Sequence, residues 1–122
     1  MALIERFEDI KAWQEARDLT RRIYQLSGSG DFGKDFGLRD QIRRASVSAM
    51  SNIAEGFDCE SKKEFARFLE IARRSTVEVL SLLYVAMDVG YIDEKTFHTF
   101  YEQTTKTRRL IGALRHAILK RT

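Results

Sequence analysis

Apolar residues recur along this chain at the spacing of α-helices, in four blocks separated by short breaks. In the first block Ile10, Trp13, Ala16, Thr20 and Ile23 share one face, with Leu19 and Leu26 beside it. This pattern predicts a helix over about residues 9–26. Ser27-Gly28-Ser29-Gly30 then breaks it. Residues 28–35 read as a loop whose Phe32 is placed to plug one end of the core.

The second block, residues 36–57, carries two stripes at once. Ile42, Ala45, Ala49 and Ile53 form an apolar row, and Arg44, Ser48, Asn52 and Glu55 form a polar row beside it. A helix packed on both sides has use for such a small-residue polar row. Ser48, Asn52 and Glu55 therefore read first as a structural seam, with Arg44, Arg73 or Glu78 as partners, because buried polar groups need partners and can fix register. The competing reading is a site for a polar ligand or an RNA base edge.

Ser61 and Glu64 form a capping box that opens the third block. About three residues separate blocks two and three, so the two helices are expected to be antiparallel neighbours. Phe65, Phe68, Leu69, Ala72, Thr76, Val79, Leu83 and Met87 supply a core face, and the helix should stop at Gly90. From Val77 to Val89 there is almost no polar side. A helix apolar all round must be covered all round. This half-helix is expected either at the bundle centre or, preferably, at a subunit interface.

The fourth block starts at Asp93, a good N-cap, with Glu94 in the first turn. Phe97, Phe100, Tyr101, Thr104, Ile111, Leu114 and Ile118 form its core face, and it should run to about residue 119. No alternating run of β-branched residues competes with the helices. The expected fold is all-α, an up-down-up-down antiparallel four-helix bundle forming a single domain over residues 1–122.

Composition agrees with that fold. The 122 residues include no proline and one glycine cluster, Gly28 to Gly37. A chain this long can bury a core without staples. Cys59 is the single cysteine, which excludes an intramolecular disulfide and suits a reducing, cytoplasmic compartment. Charges fall within the first ten residues and no long apolar run follows, so neither a signal peptide nor a membrane association is expected.

The net charge is only +3, but it is unevenly spread. From Lys106 to Thr122 there are six basic residues (Lys106, Arg108, Arg109, Arg115, Lys120 and Arg121) and no acidic one. Part of this bias suits a helix C-terminus. The excess is a positive patch able to attract a phosphate backbone. Arg43, Arg44, Arg73, Arg74, Arg108, Arg109 and Arg115 are the candidate nucleic-acid contacts. Interleaved acids such as Asp40, Glu70 and Glu102 make ordinary surface pairing the competing reading for each of them.

Catalytic chemistry finds little support. His98 and His116 are eighteen residues apart on one predicted helix, about 27 Å at 1.5 Å per residue, too far to share a metal. No Glu-x-x-His pair is present, which removes the di-iron bundle signature. No glycine-rich loop follows a strand. Cys59 lies near Lys62 and Lys63 but has no partner base. Tyr24, Tyr84, Tyr91 and Tyr101 offer stacking faces without forming a recognition motif. No cofactor, metal or enzymatic activity is expected.

Several segments carry a family resemblance: Phe7-Glu8-Asp9-Ile10-Lys11-Ala12-Trp13-Gln14, Phe36-Gly37-Leu38, Gln41-Ile42-Arg43-Arg44-Ala45, Ser51-Asn52-Ile53-Ala54-Glu55-Gly56, Ile71-Ala72-Arg73 and Gly90-Tyr91-Ile92. In that order they span most of the chain, and it resembles the large-subunit (23S) ribosomal RNA intervening-sequence protein family. The resemblance implies an up-and-down bundle assembling into a homopentamer. It also implies kinship with the accessory variability proteins of diversity-generating retroelements, basic barrels that work with a reverse transcriptase and nucleic acid. The implied function is non-enzymatic nucleic-acid binding, structured RNA in particular. The alternative is a scaffold that docks a protein such as a reverse transcriptase. Two positions depart from the family pattern. Gly33 follows Phe32 where proline is usual, which predicts a more mobile loop, and Arg74 replaces a small glycine after Ile71-Ala72-Arg73.

Overall fold

A computed structural model describes residues 4–120, all helix and turn with no strand among the described residues. A 3-10 turn, Phe7–Asp9, leads into α1 (Lys11–Ser27). Then follow α2 (Gly30–Lys34), α3 (Phe36–Phe57), α4 (Lys62–Asp88) and α5 (Glu94–Lys120). The four long helices pack up-down-up-down: α1 lies against α3 and α5, and α4 lies against the same two. Thus α1 is diagonal to α4, and α3 is diagonal to α5. Arg121 lies outside the described residues.

Local chemistry sets the helix starts. Asp35 Oδ1 accepts from Leu38 N at 3.1 Å at the head of α3. Ser61 Oγ accepts from Glu64 N at 3.0 Å, and Asp93 Oδ1 accepts from Thr96 N at 2.7 Å. Each satisfies one amide that the first helical turn leaves without a carbonyl. After α4, Gly90 with a φ of +84° closes the turn so that Tyr91 N reaches Ala86 O at 2.8 Å.

The segment 28–35 is not a loop throughout, because Gly30–Lys34 forms one and a half turns of helix. Phe32 is buried there and stacks on Tyr91, ring centroids 5.5 Å apart. A Cβ on Gly33 would lie 2.9 Å from the Gly28 carbonyl carbon and oxygen. Glycine at 33 is therefore required by backbone approach, a packing reason distinct from the mobility expected for a position without proline.

The core has two apolar halves. Leu19, Ile23, Ile42, Val79, Leu83 and Phe97 fill one; Trp13, Ala16, Ile53, Leu69, Ala72 and Ile111 fill the other. Between them each long helix supplies a buried hydroxyl: Thr20, Ser46, Thr76 and Thr104. Each donates to a carbonyl of its own helix, at 2.8, 3.0, 2.6 and 2.7 Å. Thr20 also reaches Ser46 O on α3 at 3.0 Å. These groups are satisfied, so the polar waist carries no penalty for unmet hydrogen bonds.

The apolar half of α4 is only partly covered. Val79, Leu80, Leu82, Leu83 and Ala86 are buried, while Val77, Tyr84, Val85 and Val89 are exposed. A second exposed apolar strip lies on the α1–α3 side: Tyr24, Phe36 and Val47. Val47 is one turn beyond Arg43, which bonds across to α1, so it belongs to that flank.

Candidate nucleic-acid interface

The seven candidate arginines divide by what holds them. Arg43 ties α1 to α3: its Nε donates to Ser27 Oγ at 2.9 Å, its Nη2 donates to Tyr24 O at 3.1 Å, and its guanidinium lies 4.5 Å over the Tyr24 ring. Arg115 ties α5 to α4 by donating from Nε to Ala66 O at 3.1 Å. Arg73 grips Glu70 with two bonds of 2.8 Å, and Arg74 reaches the same carboxylate at 3.3 Å. Arg44, Arg108 and Arg109 have no ion pair, hydrogen bond or ring partner among the described residues. Arg44 and Arg109 are exposed and Arg108 is half-buried.

Geometry therefore separates bracing arginines from unengaged ones. A guanidinium held by a backbone carbonyl has that donor committed and its orientation fixed, whereas Arg44, Arg108 and Arg109 have every donor open to a phosphate. The three do not form one patch within a subunit, because α3 and α5 occupy diagonal corners. Lys106, on the same basic stretch as Arg108, is drawn to Glu15 of α1 at 3.5 Å.

Glu70, one of the interleaved acids expected to pair surface arginines, does pair Arg73 and Arg74. The hydrogen bonds from Arg73 hold its carboxyl down to about 2, helped by the charges of Arg73, Arg115 and Arg74 and opposed by partial burial. The spacing Glu70–Arg73–Arg74 was a readable signal, since residues three and four apart share a helix face. The long-range contribution of Arg115 left no such trace.

The polar row on α3 meets partners other than the expected ones. Ser48 Oγ and Ser75 Oγ share a 2.9 Å hydrogen bond across α3 and α4. Asn52 Nδ2 donates to Ser48 O at 2.8 Å and to Ser48 Oγ at 3.0 Å. Higher up, Gln41 Nε2 donates to Glu78 Oε2 at 3.3 Å. Arg73 points to Glu70 instead, and the Glu55 side chain is exposed. A second seam was missed altogether. Buried Gln103 of α5 donates to Asp18 Oδ2 at 2.8 Å and accepts from Arg22, joining α5 to α1.

No group of three or more His, Cys, Asp or Glu side chains placed to hold a metal occurs among the described residues. His98 faces Glu94 at 4.0 Å, and His116 is exposed. No helix among the described residues is long and apolar enough to cross a membrane.

The sequence profile of the 23S rRNA-intervening sequence protein family matches residues 8–113. The chain belongs to that family. The match begins at the 3-10 turn and ends within α5, just short of Arg115, so all four long helices of this family member enter it. A crystal structure of a protein of unknown function from the S23 ribosomal protein family of Bacteroides thetaiotaomicron VPI-5482 has the same fold. Its TM-score is 0.77 at 22% identity, over 84% of this chain and 96% of that one. No curated protein matches the chain.

Proposed function

We propose that this family member is a non-enzymatic, self-assembling bundle that binds nucleic acid, structured RNA in particular, through arginines repeated around a ring. The observation that carries the reading is the unengaged trio Arg44, Arg108 and Arg109, two of them within a stretch of α5 that has no carboxylate from Lys106 to Lys120. Three separate cations are a weak site in one subunit. Repetition in an assembly converts them into a strong one by avidity.

Self-assembly draws support from the two apolar strips. One runs along α4 through Val77, Tyr84, Val85 and Val89; the other lies on the α1–α3 flank. Two strips that differ in residue and are carried by different helices suit a head-to-tail contact, the kind that closes into rings. The homopentamer implied by the family resemblance is such a ring.

A filter-binding titration with a folded RNA hairpin tests the nucleic-acid reading. Affinity should fall linearly on a log–log plot against salt. Replacing Arg44, Arg108 and Arg109 together by Ala should weaken binding and flatten the slope while the helical circular dichroism stays intact. Absence of affinity at low salt would overturn the reading. A second reading, a scaffold that docks a protein such as a reverse transcriptase, rests on the α4 strip. A protein complex that survives nuclease and is lost on Val85→Lys would favour it.

A further inference from the structure

Glu70 is ringed by arginines on the α4–α5 flank. Its two oxygens accept from Arg73 Nε and Nη2, both at 2.8 Å, and Arg74 Nε lies 3.3 Å from Oε2. Arg115 is held against α4 by its bond to Ala66 O and pulls on the same carboxylate through space. Ala66 is one turn before Glu70, and α5 runs antiparallel to α4. Gly112, three residues before Arg115, is therefore level with Glu70, and Arg108 is level with Arg73 and Arg74 about one turn on. Arg108, Gly112 and Arg115 share a face of α5 at positions i, i+4 and i+7. A Cβ at Gly112 would meet no atom within 4 Å. The wall beside Glu70 is thus an open notch edged by guanidinium groups.

A guanidinium fork meets carboxylate and phosphate oxygens in the same planar, two-bond geometry. The Arg73 fork is occupied by a carboxylate of its own chain. One negative charge among Arg73, Arg74 and Arg115 leaves the cluster positive, so an anion is still attracted. Glu70 remains ionised throughout the neutral range, because Arg73 keeps its carboxyl near 2.

We propose that the Gly112 notch is a phosphate subsite of the nucleic-acid interface, and that the Glu70 carboxylate is a built-in competitor for it, displaced when a backbone phosphate takes its place on Arg73 and Arg74. The assignment deepens, and rests on, the nucleic-acid reading above. It makes Glu70 a brake on binding, where a merely structural ion pair would make it a support.

Binding of a labelled RNA hairpin to the full chain, measured across salt for wild type, Glu70→Gln and Gly112→Glu, tests this. Glu70→Gln keeps the shape and removes the charge. It should tighten binding roughly 3- to 10-fold near 0.1 M salt, because no carboxylate has to be displaced before the phosphate meets Arg73 and Arg74, with a log–log slope no shallower than that of wild type. Gly112→Glu puts a second carboxylate into open space and should weaken binding with the helical circular dichroism unchanged. Weaker or unchanged affinity for Glu70→Gln, or unchanged affinity for Gly112→Glu, would overturn the proposal. If no form binds RNA at low salt, the nucleic-acid reading falls, and inorganic phosphate becomes the probe. Phosphate should then shift the Arg73 and Arg115 side-chain nitrogen resonances of Glu70→Gln at lower concentration than those of wild type, leaving the notch as an anion site. Absence of that shift would remove the notch as well.

Discussion

At the scale of single residues, two side-chain environments make opposite kinds of demand. Gly56 sits where α3 meets α4, and a Cβ there would lie 2.7 Å from Phe68 Cβ and 2.9 Å from Phe65 Cδ1. Phe68 Cβ is fixed by its own helix backbone and cannot swing aside, so relief requires the helices to part. Gly56→Ala should cost about 1–3 kcal/mol by overpacking, despite the gain in helix propensity, and urea denaturation reads it directly. Glu70 makes an electrostatic demand. Its folded carboxyl titrates near 2, below its ordinary value of 4.5. A depressed carboxyl contributes stability above its unfolded value and loses it as pH falls through the folded one. The stability difference between wild type and Glu70→Gln should thus be full at pH 5 and vanish toward pH 2. Its size should be on the order of 1 kcal/mol, because Arg73 and Glu70 both reach solvent. Denaturation midpoints of the two proteins across that pH window check the sign.

At the scale of elements, the turn between α4 and α5 is latched to the head of α3. Tyr91 Oη donates to Asp35 Oδ2 at 2.9 Å while Asp35 Oδ1 caps α3 through Leu38 N. Asp35→Ala removes both contacts and should cost about 1–2 kcal/mol, whereas Tyr91→Phe removes one and should cost about 1 kcal/mol. The double variant should be no worse than Asp35→Ala, because the phenol then has nothing to lose; an additive result would refute the latch. This latch also marks where sequence reading stops. The four long helices were legible because each carries a 3.6-residue apolar period and, in three of them, a side-chain cap at the start. α2 was not legible, because five residues hold no period and its form depends on Gly33 packing against the Gly28 backbone. The arginines were legible as a set but not by role. Arg43 and Arg115 are held by Ser27, Tyr24 and Ala66, partners far away in the chain, whereas the Glu70–Arg73–Arg74 group could be read from spacing alone.

At the scale of the whole molecule, the two exposed strips decide what kind of assembly the chain can build. Phe36 is 63% exposed in the α1–α3 strip and Val89 is 55% exposed in the α4 strip, and the two strips differ in residue and in the helices that carry them. A two-fold dimer would bury one strip against its own copy and leave the other wet. A ring buries the α4 strip of each subunit against the α1–α3 strip of the next. The two arrangements respond differently to charge. In a ring, Val85→Lys with Val89→Lys breaks one half of every contact, and Phe36→Lys with Val47→Lys breaks the other half. Each double variant alone should run near the 14.2 kDa of one chain by light scattering. Mixed together they should form a species of about twice that mass and no larger. The intact α4 strip of one then meets the intact α1–α3 strip of the other, and both remaining faces are blocked. In a two-fold dimer built on α4, the Phe36 and Val47 changes would leave the wild-type mass intact, and mixing would restore nothing. If the ring multiplies the arginine patches, the mixed pair should also bind RNA far more weakly than wild type, because only two copies of Arg44, Arg108 and Arg109 act together.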